Sequence, residues 1–289
     1  MKTTKKTKAK KPEHVRLGTL PTTRSWKDVV GLVADGEGVE AVATRALTAS
    51  GKAFVSIQND AGFSEAVWVL TQLAVAAQAP EPHAHLEAIG LKLAAQSSVA
   101  DVAACLHETL DRSLSKRRER SDFGEMAQSA LVSAVSQHLN DKLGTLVAPT
   151  ADDVHRSLAQ LGRATEFGRL SRSFFARLAG DCMDYFLSKS LGAEVGAGRR
   201  FVTTAQMAEF EGAMATHAFE AAKIVEQFSG EWMSKHRFEG EGRIGRGEAD
   251  RFGWYALEKV RAEMKARTPL ATSEATNQQS MEGLRRSTG

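Results

Sequence analysis

Residues 166–191 read EFGRLSRSFFARLAGDCMDYFLSKSL, and residues 203–228 read TTAQMAEFEGAMATHAFEAAKIVEQF. In the first stretch Phe167, Leu170, Phe174, Leu178, Cys182 and Tyr185 recur at steps of three and four. At 100° per residue they form one stripe roughly 120° wide, the pattern of a helix facing a core. Arg169 and Arg172 fall outside the stripe, on the side that faces solvent or a partner. Gly192 sets the helix end, with Gly196 and Gly198 extending the break. In the second stretch Thr203 and Gln206 make a capping box, with Val202 and Met207 at the staple positions. Met207, Phe210, Met214, Ala218, Ala221, Val225 and Phe228 then keep the helical step. Two such stripes joined by a short Gly-rich turn pack as an antiparallel pair.

The same reading extends outward to both ends. Ser25 with Asp28 opens a short helix carrying Trp26, Val29, Val30 and Val33, closed by Gly36 and Gly38. Val39 to Leu47 makes a second helix, closed by Gly51. Ala53–Ile57 is a short apolar run, taken as an extended link or a helix start. Phe63 to Ala77 is strongly apolar and stops at Pro80 and Pro82. His85 to Ala95 is a weaker helix. Ser98 with Asp101, Asp122 with Glu125 and Thr150 with Asp153 open three more. A last helix runs from about Ala249 to Lys265, with Phe252, Tyr255, Ala256, Val260 and Met264 in register. The expected fold is therefore all-α, a multi-helix bundle of about ten helices. Residues 1–24 form a disordered Lys-rich tail, 25–120 an N-terminal helical region and 121–267 a C-terminal helical region. A Gly-rich loop spans 240–247, and 268–289 form a second disordered tail.

Across the 289 residues apolar content is 42% and charged content 25%, ordinary for a folded globular chain. The formal net charge of +3 misleads, because residues 1–11 hold six Lys and no acid. Removing those six charges from +3 leaves the remainder at −3, which weakens a nucleic-acid reading of the body as a whole. Cys105 and Cys182 both sit on apolar helix faces, so buried free thiols in a reducing cytoplasm are expected. No run approaches the ~18 apolar residues of a membrane span, and no secretory signal is visible at the N-terminus.

Motifs for chemistry are sparse. Gly240, Gly242 and Gly245 spell G-x-G-x-x-G, but the preceding Trp232-Met233-Ser234-Lys235-His236-Arg237 is not the strand that a dinucleotide site needs. A mobile surface loop is the plainer reading. A cradle for phosphate or carboxylate, built from Lys235, Arg237, Arg243 and Arg246, is the alternative. His107-Glu108 lacks a second histidine at position 111, and His83 and His85 lack a third ligand nearby. No catalytic residue, cofactor or metal site is assigned. The candidate partner-binding residues are Arg169, Arg172, Trp232, Lys235, Arg237, Arg243 and Arg246, since Arg and aromatics carry most interface energy. Candidate nucleic-acid contacts are Lys5, Lys6, Lys8, Lys10 and Lys11 in the tail, with Lys116, Arg117, Arg118 and Arg120 at a helix end.

Residues 167–178 (FGRLSRSFFARL), 184–192 (DYFLSKSLG) and 221–242 (AAKIVEQFSGEWMSKHRFEGEG), with SDFGEMAQ at 121–128, resemble segments of uncharacterised bacterial proteins found among anti-phage defence genes. The resemblance spans about residues 25–265. It implies a bacterial cytoplasmic component that works with other proteins, and it brings no catalytic residues. The expected function is thus a non-enzymatic helical interaction subunit or adaptor, with nucleic-acid binding as the alternative.

Overall fold

The computed structural model describes residues 14–15, 24–50, 59–117, 120–144, 149–240 and 242–267. Among them eleven helices supply nearly all regular structure, so the chain is all-α. In order they are α1 (Arg24–Ala34), α2 (Val39–Ala49), α3 (Ala61–Ala76), α4 (Pro82–Ala88), α5 (Val99–Arg117), α6 (Asp122–Leu143), α7 (Ala151–Gln160), α8 (Ala164–Ala193), α9 (Thr204–Ala221), α10 (Lys223–Glu239) and α11 (Arg246–Ala266). Strand structure among the described residues is slight. β1 (His14–Val15) and β2 (Arg120–Ser121) pair in parallel, and Val195 bridges Phe201. His14–Val15 lie inside the stretch expected to be disordered. Ala53–Ile57, the rest of that stretch and residues 268–289 lie outside the described residues.

The organising element is α8. It packs against α1, α2, α6, α9, α10 and α11. Its buried side is wider than the predicted stripe. Phe175, Ala176, Met183, Phe186 and Leu187 are buried beside Phe167, Leu170, Phe174, Leu178 and Cys182, because neighbours cover it on several sides. Tyr185, placed in the stripe by its spacing, instead sits 37% exposed and donates its hydroxyl to Asp122 Oδ2 at 2.8 Å.

The antiparallel partner of α8 is two helices rather than one. The chain turns at Ala222, so α9 and α10 each lie along α8. Glycines permit the closest approach. A Cβ on Gly168 would stand 2.8 Å from the Glu226 carbonyl oxygen, and one on Gly230 would stand 2.7 Å from that of Ala164. Real side-chain carbons do not approach backbone so closely, so both positions need a residue without a Cβ.

Six fully buried Phe rings tie four helices together. Phe63 on α3 meets Phe123 on α6 (5.4 Å between centroids) and Phe175 on α8 (6.4 Å). Phe252 on α11 meets Phe175 (5.9 Å) and Phe167 (5.8 Å), and Phe174 lies edge-on to Phe175. Burying each ring contributes roughly 2–3 kcal/mol. The N-termini of α3 and α6 share a cap. Asp60 accepts from the Phe63 amide and from the Ser121 hydroxyl, and Ser121 in turn accepts from the Gly124 amide. One hydrophobic cluster runs from Trp26 to Met264, so the 25–120 and 121–267 regions share a core.

Among the predicted capping boxes, Thr150 with Asp153 and Ser98 with Asp101 both form. At Thr203 the hydroxyl accepts from the Gln206 amide, but Gln206 reaches back one residue further, to the Val202 amide. Val202 is 63% exposed and staples nothing. Pro82 begins α4 rather than ending α3, as a first-turn proline can.

Candidate functional site

The predicted partner-facing residues fall in two places, and most are engaged within the chain. The first is the flank of α8 against α6 and α9. Arg172 projects from α8 to the break at Ala222, where the end of α9 leaves carbonyls without helical partners. Its Nε donates to the Phe219 carbonyl (3.1 Å), Nη1 to Glu226 (2.9 Å) and Nη2 to Glu220 (3.1 Å), and its guanidinium lies 4.0 Å over the Phe219 ring. The side chain is only 15% exposed. Arg172 therefore staples the turn between α9 and α10 instead of facing outward.

One turn before it, Arg169 donates to Glu166 Oε1 at 3.1 Å, and Lys142 from α6 reaches the same oxygen at 2.7 Å. Glu166 is buried, and His138 Nε2 lies 3.5 Å from its second oxygen. Burial alone would push the Glu166 carboxyl up. The Lys142 hydrogen bond, helped by the charges of Lys142, Arg169 and His138, outweighs this and holds it below the ordinary value. Burial holds His138 below the usual imidazole range, against the opposing pull of Glu166. These groups border a cavity of about 410 Å³ with Asp141, Ser173 and Glu226. A second cavity of about 400 Å³ continues along α8 past Ser173 and Phe219 to Asp181 and Asp184. The facing charges in the first cavity are matched, carboxylate against cation, so it has no excess of either sign to attract an ion.

The second place is the C-terminal end of α10 with the glycine loop. Trp232 is half-buried and stacks on Phe252 (4.3 Å) and His236 (4.5 Å), anchoring α10 to α11. Arg246 forks onto the buried Glu65 of α3 at 2.6 and 3.1 Å and covers the Trp68 ring at 3.7 Å. Ile244 is buried, and its carbonyl accepts from Gln72 Nε2 at 3.1 Å, while Gln72 Oε1 meets His85 Nε2 at 3.0 Å. The described part of the loop is thus docked on α3, where the sequence suggested a mobile segment. The glycines serve the turn. A Cβ on Gly240 would strike the Arg243 carbonyl, and Gly242 has φ +86°. The start of α11 is already filled, because Glu248 accepts from the Gly245 amide at 2.8 Å, which occupies the place an anion would take.

Two cations in this region remain outside any ion pair among the described residues: Arg237, half-buried, and Arg243, exposed. Lys235 faces Glu239 at 3.9 Å. Between the two arginines, Phe238 is 87% exposed, the most exposed large apolar side chain among the described residues. Beside it opens a groove of about 460 Å³, floored by the buried Met233 and bordered by Gln78, Ser234, Arg237, Phe238 and Gly242. The turn is closed by the Gly242 amide donating to the Arg237 carbonyl (2.8 Å) and the Arg243 amide to that of Gly240 (3.0 Å).

The chain matches no protein-family model, no curated protein and no solved structure.

Of the proposed nucleic-acid contacts, Lys116 is exposed at the end of α5, and Arg120 pairs with Asp111 and lies 3.7 Å from Glu125. The Arg117 side chain, Arg118 and the tail lysines Lys5, Lys6, Lys8, Lys10 and Lys11 lie outside the described residues. His83 and His155 come together edge-on at 5.0 Å, but no group of three His, Cys, Asp or Glu is placed to hold a metal among the described residues. Cys182 is fully buried and burial pushes its thiol far up; Cys105 is half-buried and shifted the same way. No described helix is long and apolar enough to cross a membrane.

Sequence reasoning passed over Phe238. Its signal was available, since at 100° per residue it falls well off the stripe of Val225, Phe228 and Trp232, and an aromatic off the stripe has no core to enter. It also missed Glu166, His138 and Lys142, whose grouping depends on two helices meeting side by side.

Proposed function

We propose that this chain is a non-enzymatic helical subunit that binds a partner protein through the end of α10 and the adjoining turn. The observation that supports this reading is Phe238, held 87% exposed between two arginines outside any described ion pair, over a groove with an apolar floor. A large aromatic in water is unfavourable for an isolated chain, and aromatic and Arg side chains are the residues that carry interface energy. Arg237 and Arg243 keep their place among the interaction candidates, with Lys235 at the rim. Arg169, Arg172, Trp232 and Arg246 act one step back, fixing the helices that present the patch. The resemblance to proteins encoded among bacterial defence genes makes a defence complex the setting to examine first.

The test is affinity purification of the tagged chain from its native host, with and without nuclease, alongside Phe238→Asp. Partners that survive nuclease and disappear with Phe238→Asp support the reading. Partners retained by Phe238→Asp, or lost on nuclease treatment, overturn it.

A further inference from the structure

Resting on that reading, we infer that the α10 patch takes an acidic peptide segment carrying one apolar anchor residue. The inference follows from charge and shape together. The chain outside its first eleven residues carries a net −3, yet residues 235–246 hold four Lys or Arg against Glu239 and Glu241. Lys235 and Arg246 face Glu239 and Glu65. Arg237 and Arg243 have no described carboxylate, and they bracket the Gly242 turn that edges the groove. A local positive patch on an acidic body steers and orients an acidic partner and rejects a basic one. Met233 at the floor and the face of Phe238 offer apolar contact for a single side chain, so the anchor enters between the two charges. The chain's own ends do not supply this occupant. The first eleven residues are purely basic, and residues 268–289 hold two Glu balanced by two Arg.

The experiment pans a phage-displayed random dodecapeptide library on the full-length protein, on Phe238→Asp and on the Arg237→Glu, Arg243→Glu double variant. Phe238 and Arg243 are exposed and Arg237 is half-buried, and circular dichroism verifies that the variants keep the helical content. The expected result is enrichment of Asp and Glu flanking one Leu, Ile or aromatic residue. The best such peptide, labelled and titrated by anisotropy, binds Phe238→Asp at least about tenfold more weakly, as loss of a central hot spot requires. The charge-reversed variant selects Lys and Arg at the same positions. Enrichment without acids, enrichment insensitive to both variants, or no enrichment overturns the inference. Self-association in analytical ultracentrifugation that vanishes with Phe238→Asp also overturns it, by making a second copy the occupant. If host partners depend on Phe238 while the selected peptides are not acidic, only this inference fails. If host partners ignore Phe238, the patch itself fails.

Discussion

Arg172 shows how much one side chain decides in this molecule. Its planar fork satisfies a carbonyl at the α9–α10 break and two carboxylates on different helices while covering Phe219. Lys has one point charge and cannot reproduce that geometry. Arg172→Ala is expected to cost about 2 kcal/mol, from hydrogen bonds to charged groups lost at a largely buried position. Arg172→Lys should recover less than half of this, and urea unfolding midpoints measure both. The acidic end of the same flank behaves differently. Burial, then the charges of Glu211 and Asp181, push Asp184 up to about 6 from 3.8. A carboxyl raised on folding binds its proton more readily in the folded state, so its penalty is full above about pH 6 and is relieved as pH falls toward 4. His138 has the opposite sign. Its folded value lies below 6.5, so the stability tied to its neutral form is present above 6.5 and is lost as pH falls below it. Asp184→Asn should therefore stabilise the chain at pH 7 by about 1 kcal/mol, a figure kept small because solvent reaches the side chain. At pH 4 the substitution should give no gain. Unfolding measured from pH 7 to pH 4 decides it: an equal effect at both ends would place the stabilisation somewhere other than the charge.

At the scale of elements, the α8 pairing with α9 and α10 rests on backbone proximity as much as on apolar stripes. Gly168→Ala and Gly230→Ala each drive a methyl against a carbonyl, and overpacking of this kind costs about 1–3 kcal/mol, partly offset by the better helix propensity of Ala. A Cβ added at Gly180 on α8 or at Gly212 on α9 would meet nothing within 4 Å, so Ala there should stabilise by up to ~1 kcal/mol. Thermal melts of the four single variants should split into two losses and two gains, and a common sign would refute the close-crossing account. The helices themselves were legible because period and caps are local. Thr150 with Asp153 and the stripe from Phe167 to Cys182 needed no tertiary information. The break at Ala222 was not legible, since the Phe210–Phe228 spacing runs through it without interruption. An arginine from a helix some fifty residues earlier holds a carbonyl at that break. The same holds for the loop. Its glycines were visible, but its docking on Glu65 and Gln72 required knowing that α3 lies beneath it. Candidate site residues chosen for charge alone, such as Arg172 and Arg246, were the ones that found internal partners, because a cation near a packed helix pair is usually within reach of a carboxylate.

For the molecule as a whole, the placement of charge separates protein binding from nucleic-acid binding. Strong duplex binding needs a continuous array of cations that neutralise phosphates and release counterions, each phosphate contact adding about −0.9 to the slope of log affinity against log salt. In the described body the cations are dispersed, and about half of them face a carboxylate. Arg120 faces Asp111, Arg169 and Lys142 share Glu166, Arg172 holds Glu220 and Glu226, and Arg246 holds Glu65. Breaking each pair to reach a phosphate would exchange one carboxylate for another anion with little net gain. The six lysines of residues 1–11 form the densest run without acids, ahead of Arg112, Lys116, Arg117 and Arg118 in residues 112–118. Any affinity for duplex DNA should therefore reside in that arm, and deleting residues 1–11 should abolish a mobility shift at 150 mM salt while leaving Phe238-dependent protein binding intact. The salt slope of the full chain should then be no steeper than about −5, since six lysines can neutralise at most six phosphates. A steeper slope, or DNA binding that survives the deletion, would mean that the body presents a phosphate-binding face despite its internal pairing, and would move nucleic-acid recognition ahead of the partner binding proposed for α10.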